Sequence, residues 1–206
     1  MERGGPRYPA TIGAILAGGL ARRIGGGDKP MRKIGGRPLL AHILDRLRPQ
    51  VSAVVLNANG DPGRFAAYAV PVVPDGVPGN PGPLAGILAA LDWAAAQNAA
   101  QWVVTVPGDA PFIPPDLVER LHQARAGAGA TLAIAASGGR THPVIGLWPV
   151  SLREDVRMAL LRDNLRKMGW FTSRYSLAIP EWPIAETDPF FNVNTEEDLA
   201  EAQRSA

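Results

Sequence analysis

Glycines and basic residues are concentrated in one run of this chain, Leu16-Ala17-Gly18-Gly19-Leu20-Ala21-Arg22-Arg23-Ile24-Gly25-Gly26-Gly27-Asp28-Lys29. Its five glycines let the backbone turn sharply and aim N–H groups at one anion, and Arg22, Arg23 and Lys29 add three positive charges. Such a composition suits phosphate, and a nucleoside triphosphate with magnesium fits the cradle. The spacing is neither Gly-x-x-x-x-Gly-Lys-Ser/Thr nor a Gly-x-Gly-x-x-Gly that opens a helix, so two common phosphate loops are excluded. Downstream, Asp109 sits in Pro107-Gly108-Asp109-Ala110-Pro111 and is the candidate metal ligand. A lone carboxylate suits magnesium, which keeps waters and draws other ligands from phosphates. Asp75 opens a stretch rich in glycine and proline over 75–83, too punctuated for a regular element, which reads as an active-site loop. An isolated Asp-Gly is also an ordinary turn, so the residues alone leave Asp75 evenly balanced.

These groups need a scaffold, and the pattern supplies one. Apolar runs over 11–16, 51–56, 70–73, 102–106, 131–136 and 144–148 read as strands; 38–47, 84–96, 115–124, 152–161 and 195–203 read as helices. The last helix has Thr195 as N-cap and three acids in its first turn. Alternating strands and helices predict an α/β three-layer sandwich around a mostly parallel, Rossmann-like sheet. Ligands of such sheets bind beyond the carboxyl ends of the strands, and the glycine loop, Asn57, Asp75 and Asp109 all follow strands directly. They are expected to converge on one crevice.

Composition agrees. A chain of 206 residues is large enough to bury a core and suits a single domain, expected over 11–206, with residues 1–10 as a disordered lead-in. The absence of cysteine excludes a disulfide framework and a thiol nucleophile, and the three histidines are too scattered for an obvious metal cluster. No apolar stretch reaches the roughly 18–20 residues that span a bilayer, so a cytoplasmic protein without a membrane partner is expected. Residues 1–48 carry ten Lys/Arg against three Asp/Glu. The basic residues gather at the glycine loop with no aromatic platform, which argues against nucleic acid. Surface basic residues such as Arg64 are expected to be silent.

The pattern Leu-Ala-Gly-Gly-x-x-x-Arg-x-Gly-x-x-x-Lys resembles the signature of nucleotidyltransferases, and Arg22-Arg23, Gly25-Gly26 and Asp28-Lys29 resemble most the molybdenum cofactor guanylyltransferases. The resemblance continues at Asn57-Ala58-Asn59, Gly82-Pro83-Leu84-Ala85-Gly86, Pro107 to Phe112 and Phe191-Asn192-Val193-Asn194-Thr195. It implies transfer of GMP from GTP to the phosphate of Mo-molybdopterin, with Mg2+, and with molybdoenzyme chaperones as further partners. Arg23, Lys29 and Asp109 would be catalytic. Leu16, Ala17, Gly18, Gly19, Arg22, Lys29, Asn57, Asp75, Leu84 and Asp109 would bind nucleotide and metal.

The resemblance also places Arg166, Lys167 and the expected strand end Asn192-Val193-Asn194 beside the acceptor. Asparagines spaced i, i+2 on a strand share a face, where their amides suit a pterin ring or magnesium. Equally, Asn194 and Thr195 could cap the last helix. A phosphate acceptor is already ionised near neutral pH, which explains why no general base stands out. Alternatives are CMP transfer to the same acceptor, a sugar- or polyol-phosphate nucleotidyltransferase, and a non-catalytic nucleotide-binding adaptor.

Overall fold

In the computed structural model, residues 8–18, 28–78, 82–98 and 100–205 are described. Gly19, Arg22 and Arg23 lie outside them. A mixed sheet holds the strands β1 (Thr11–Leu16), β4 (Ala53–Asn57), β5 (Val72–Val73), β6 (Trp102–Pro107), β7 (Leu132–Ser137), β8 (Arg140–Pro149), β9 (Leu177–Ala178) and β10 (Glu181–Trp182). Its order is β10-β7-β8-β6-β1-β4-β5, with β9 also on β7. A separate two-stranded ribbon pairs β2 (Lys33–Ile34) with β3 (Arg37–Pro38).

The helices α1 (Leu39–Leu47) and α3 (Leu117–Gly127) cover one face of the sheet. The other face carries α2 (Pro83–Gln97), α4 (Arg153–Leu161) and α5 (Met168–Thr172), and α6 (Glu196–Arg204) closes the chain. Strand periodicity divides the core between the layers. Ile12, Ala14, Val55 and Val103 face α2, whereas Ile15, Val54, Leu56, Val104 and Val106 face α1 and α3. At Gly13 a Cβ would lie 2.9 Å from Leu47 Cδ2, so the missing side chain lets α1 settle against β1.

Five pairings are parallel, as expected, but β8 runs antiparallel to both β6 and β7. It also starts earlier than the apolar run from 144 indicated. Between Ile134 and Ala135 the register against β8 slips: Ile134 pairs with Gly146 but Ala135 with His142. Pro143, which has no N–H to give a ladder, lies in the excluded stretch. The Thr105 hydroxyl bridges the irregularity, donating to the Val144 carbonyl at 2.6 Å and accepting from Trp148 Nε1 at 2.9 Å.

Of the expected N-terminal lead-in, residues 1–7 lie outside the described part. Tyr8 is anchored: its hydroxyl donates to the Gln50 carbonyl at 2.6 Å and its ring stacks on His122. Among the described residues, no helix is long and apolar enough to cross a membrane.

Candidate active site

The strand register explains why distant motifs meet. Leu16 at the end of β1 lies level with Asn57 of β4 and with Pro107 of β6, and Asn57 lies level with Val73 of β5. Whatever follows these four strands therefore emerges along one edge of the sheet. Backbone bonds carry the alignment one residue further, from Ala17 N to Asn57 O at 2.8 Å and from Gly108 N to Leu16 O at 2.9 Å. The pocket there is lined by Leu16, Ala17, Gly18, Lys29, Asn57, Asp75 and Asp109 from the sequence expectation, and by Pro30, Gly82, Pro83, Gly86, Gly108 and Val144 besides.

One wall is an amide–carboxylate network. Asn57, buried at the end of β4, donates from Nδ2 to Asp75 Oδ1 at 3.0 Å and to the Val73 carbonyl at 3.2 Å. Asn59 holds the same aspartate from the other side, with Nδ2 to Asp75 Oδ2 at 2.8 Å and Oδ1 accepting from Asp75 N at 2.8 Å. Asp75 is thus fixed by three bonds in a segment with no regular structure. With Nδ2 engaged, Asn57 Oδ1 turns toward α2. A Cβ on Gly86 would lie 2.4 Å from that oxygen, a distance no real contact tolerates, so glycine is required where the first turn of α2 meets Asn57. Asn59 carries no signal of its own in the sequence beyond its place two residues after Asn57.

Leu84 departs from the expectation. Its side chain is fully buried in the core between the sheet and α2, and the pocket wall at this point is Gly82, Pro83 and Gly86. An apolar residue in the first turn of a helix that packs on the sheet turns inward, so Leu84 presents no side chain to a ligand.

The opposite wall is built on Asp109. Gly108 brings it close: a Cβ there would meet Pro30 Cγ at 3.0 Å and the Leu16 carbonyl at 3.2 Å. Lys29 Nζ donates both to Asp109 Oδ2 and to Asn194 Oδ1, so one ammonium joins the end of the glycine loop, the β6 loop and the C-terminal segment. The backbone draws that segment in as well, since Val193 N donates to the Asp109 carbonyl at 2.9 Å. Asp109 Oδ1 and Asn192 Oδ1 are buried and have no hydrogen-bond partner among the described residues.

Residues 191–194 are irregular rather than a strand end, because the bond from Val193 replaces ladder pairing. The two asparagines do not share one environment: Asn192 Oδ1 is buried, whereas Asn194 is exposed and reaches Lys29. Helix capping falls to Thr195, whose hydroxyl accepts from Asp198 N at 3.1 Å while Asp198 Oδ2 accepts from Thr195 N at 2.9 Å. The Asn194 side chain is thereby left for the site. Arg166 and Lys167 are not brought to Asp109. Arg166 lies by the other wall, where its carbonyl is 3.9 Å from the position of a Cβ on Gly82, and Lys167 Nζ sits over the exposed Trp170 ring at 5.3 Å.

The histidines divide by role. His122 is buried against Tyr8 and Trp102, and burial pushes its pKa down to about 4. His42 bonds the Ile34 carbonyl. His142 bonds Ser137 Oγ at 2.8 Å, and that hydroxyl donates to Asp188 Oδ1 at 2.7 Å. The sequence showed no such constellation, and its order is not that of a nucleophilic triad: serine is the middle member and gives its proton to the carboxylate. Burial holds the His142 pKa below the ordinary histidine value. The chain His142, Ser137, Asp188 fastens the start of the segment that carries Asn192 and Asn194, and Phe190 adds a ring contact to His142 at 5.0 Å.

A family model for the MobA-like NTP transferase domain matches residues 13–174. The chain belongs to the MobA-like NTP transferase family. It is accordingly a nucleotidyltransferase. It is 59% identical to a molybdenum cofactor guanylyltransferase of Rhodopseudomonas palustris (strain BisB5), over 97% of this chain and 95% of that protein. It is 62% identical to a protein of the same name from Bradyrhizobium sp. (strain ORS 278), over 96% and 93%. Among solved structures, molybdopterin-guanine dinucleotide biosynthesis protein A from Archaeoglobus fulgidus superposes with a TM-score of 0.73 at 25% identity, over 94% of this chain and 97% of that one. All five motifs of the sequence resemblance fall within the stretch shared with the two relatives.

Proposed function

We propose that the protein transfers GMP from GTP to the terminal phosphate of molybdopterin, releasing pyrophosphate and forming a guanine dinucleotide cofactor. One observation carries the reading: four strand ends at one level bring Lys29, Asn57, Asp75 and Asp109 around a single pocket in a chain whose relatives are guanylyltransferases.

The donor set fits a hard divalent ion such as Mg2+. Asp109 offers a buried oxygen with no partner among the described residues, and Asn192 and Asn194 offer amide oxygens nearby in the chain's path. Among the described residues no three His, Cys, Asp or Glu gather to hold a metal by themselves, which suits an ion that completes its shell with phosphates and water. When bound, the ion would neutralise phosphate charge and help align the two anions.

The rest is done by the chain. In the transfer, an acceptor phosphate oxygen forms a bond to the α-phosphorus of GTP, and the bond from that phosphorus to the bridging oxygen breaks, its electron pair leaving with pyrophosphate. No proton has to be removed from an ionised phosphate, so the task is to position two anions and offset their repulsion. Lys29 contributes charge at the phosphates, and Asn57 and Asp75 orient the nucleoside. Asn192 and Asn194 stand on the acceptor side of Asp109.

Incubating the purified protein with GTP, CTP or ATP and reading pyrophosphate release, with no acceptor, with molybdopterin or with sugar phosphates, tests this reading. Release with GTP and acceptor together is expected. Preference for CTP would reassign the reaction to cytidylyl transfer, activity with sugar phosphates would replace the acceptor, and no release with any nucleotide would leave an adaptor.

The division between Asn194 and Thr195 has its own test. Asn194→Ala should impair transfer far more than it weakens GTP binding measured by calorimetry without acceptor, at an unchanged melting temperature. Thr195→Ala should do the reverse, losing about 0.5–2 kcal/mol of stability with its cap while kinetics hold. An Asn194→Ala protein that transfers normally would remove that asparagine from the acceptor side.

A further inference from the structure

We propose that Arg64 is a positioning residue that ties the end of the phosphate loop to the opposite wall of the nucleotide pocket. The sequence places it among surface basics, seven residues after Asn57 and far from the glycine run. In the fold its guanidinium reaches two places at once. Arg64 Nε pairs with Asp28 Oδ2 at 3.0 Å, and Arg64 Nη2 donates to the Asn59 carbonyl at 2.5 Å. Asp28 directly precedes Lys29, the residue that contacts Asp109 and Asn194. Asn59 is the residue that fixes Asp75 through both ends of its amide. One planar group thus couples the lysine on one wall to the aspartate on the other.

The surroundings are shaped for this role. Gly60 has φ +85°, and a Cβ there would stand 3.3 Å from Arg64 Nη1, so glycine both permits the turn and leaves room for the guanidinium. Arg64 lies over the ring of the buried Phe65 at 4.8 Å, which limits the orientations open to it. Asp61 starts the 3-10 turn carrying Arg64 by accepting from Gly63 N at 2.8 Å. Asp28, although it precedes a helical turn, makes no side-chain cap and spends its carboxylate on Arg64. Both side chains are about one-third exposed, at 31% and 30%. An ion pair so exposed adds little to stability, so its consequence is geometric: it sets where Lys29 begins relative to Asp75. A lysine would substitute only in part, because it keeps the charge toward Asp28 but cannot present two fixed donors in two directions.

The inference rests on Lys29 and Asp75 being nucleotide-contacting groups, and the test separates the two ideas. GTP affinity with magnesium, kcat, KM and melting temperature are measured for Arg64→Ala, Arg64→Lys, Asp28→Asn, the double variant Asp28→Asn with Arg64→Ala, and Lys29→Ala. Arg64→Ala is expected to lose on the order of tenfold in kcat/KM for GTP, as misplacement of a charged group does, with the melting temperature nearly unchanged. Arg64→Lys should recover part of the loss, and the double variant should lose no more than Arg64→Ala alone. Should Arg64→Ala fail to fold, Asp28→Asn takes the charge out of the same link and carries the test. If Lys29→Ala is impaired while Arg64→Ala and Asp28→Asn stay within twofold of wild type, the tether is overturned. Strictly additive losses in the double variant would overturn it too. If Lys29→Ala is itself unimpaired, it is the underlying site reading that fails.

Discussion

Asp109→Asn is expected to abolish transfer, with a loss beyond about a thousandfold in kcat. The substitution keeps size and shape and changes one oxygen and one charge in a side chain that pairs with Lys29. The backbone of Asp109, which receives the bond from Val193, is untouched, so the C-terminal segment stays docked and the melting temperature should hold. Magnesium-dependent GTP binding should weaken in parallel with kcat when followed by calorimetry. Near wild-type turnover would remove Asp109 from the catalytic role.

Lys29→Ala should lose about 2–4 kcal/mol of transition-state stabilisation, on the order of thirtyfold to a thousandfold in rate, by analogy with deletion of one preorganised electrostatic donor. A carboxylate oxygen, Asp109 Oδ2, and an amide oxygen, Asn194 Oδ1, share this ammonium, so the variant also frees the C-terminal segment from its side-chain link to the loop. The loss should therefore exceed the roughly tenfold expected of Arg64→Ala. Lys33, which is exposed on the β2–β3 ribbon, is the matched control, and Lys33→Ala should be silent. A Lys29→Ala enzyme as active as Lys33→Ala would sink the phosphate-cradle reading.

That Ala17, Asn57, Asp75 and Asp109 meet at one pocket was legible in the sequence because it rests on local signals. Each of Ala17, Asn57, Asp75 and Asp109 follows an apolar run, and parallel strands bring their ends to a common edge. What escaped depends on partners remote in the chain. Arg64 looks like any surface arginine until Asp28, 36 positions earlier, is placed beside it. Ser137 and Asp188 are 51 positions apart and meet only through the sheet. β9 and β10 are two residues each, too short for periodicity, and β8 hid its first half because Pro143 breaks the pattern. Leu84 shows the converse case. Its motif pointed to the ligand, but hydrophobic burial decided the direction of the side chain while its glycine neighbours formed the wall.

The irregular β8 hairpin has a further consequence for how such an enzyme could change its acceptor. The hairpin touches the pocket through Val144, yet through His142 and Ser137 it also anchors the segment bearing Asn192 and Asn194. The parallel strands β5, β4, β1 and β6, whose ends lead to Ala17, Asn57, Asp75 and Asp109, lie to one side of it. Altering the length of the slipped stretch around Pro143 is expected to move the segment bearing Asn192 and Asn194, which Ser137 and His142 hold through Asp188 and Phe190, and to leave the parallel strands in register. If Asn192 and Asn194 face the acceptor as proposed, such a seam lets selection try new acceptors without rebuilding the pocket wall of Asn57 and Asp75, and it marks the hairpin, rather than the glycine loop, as the place for an engineer to begin.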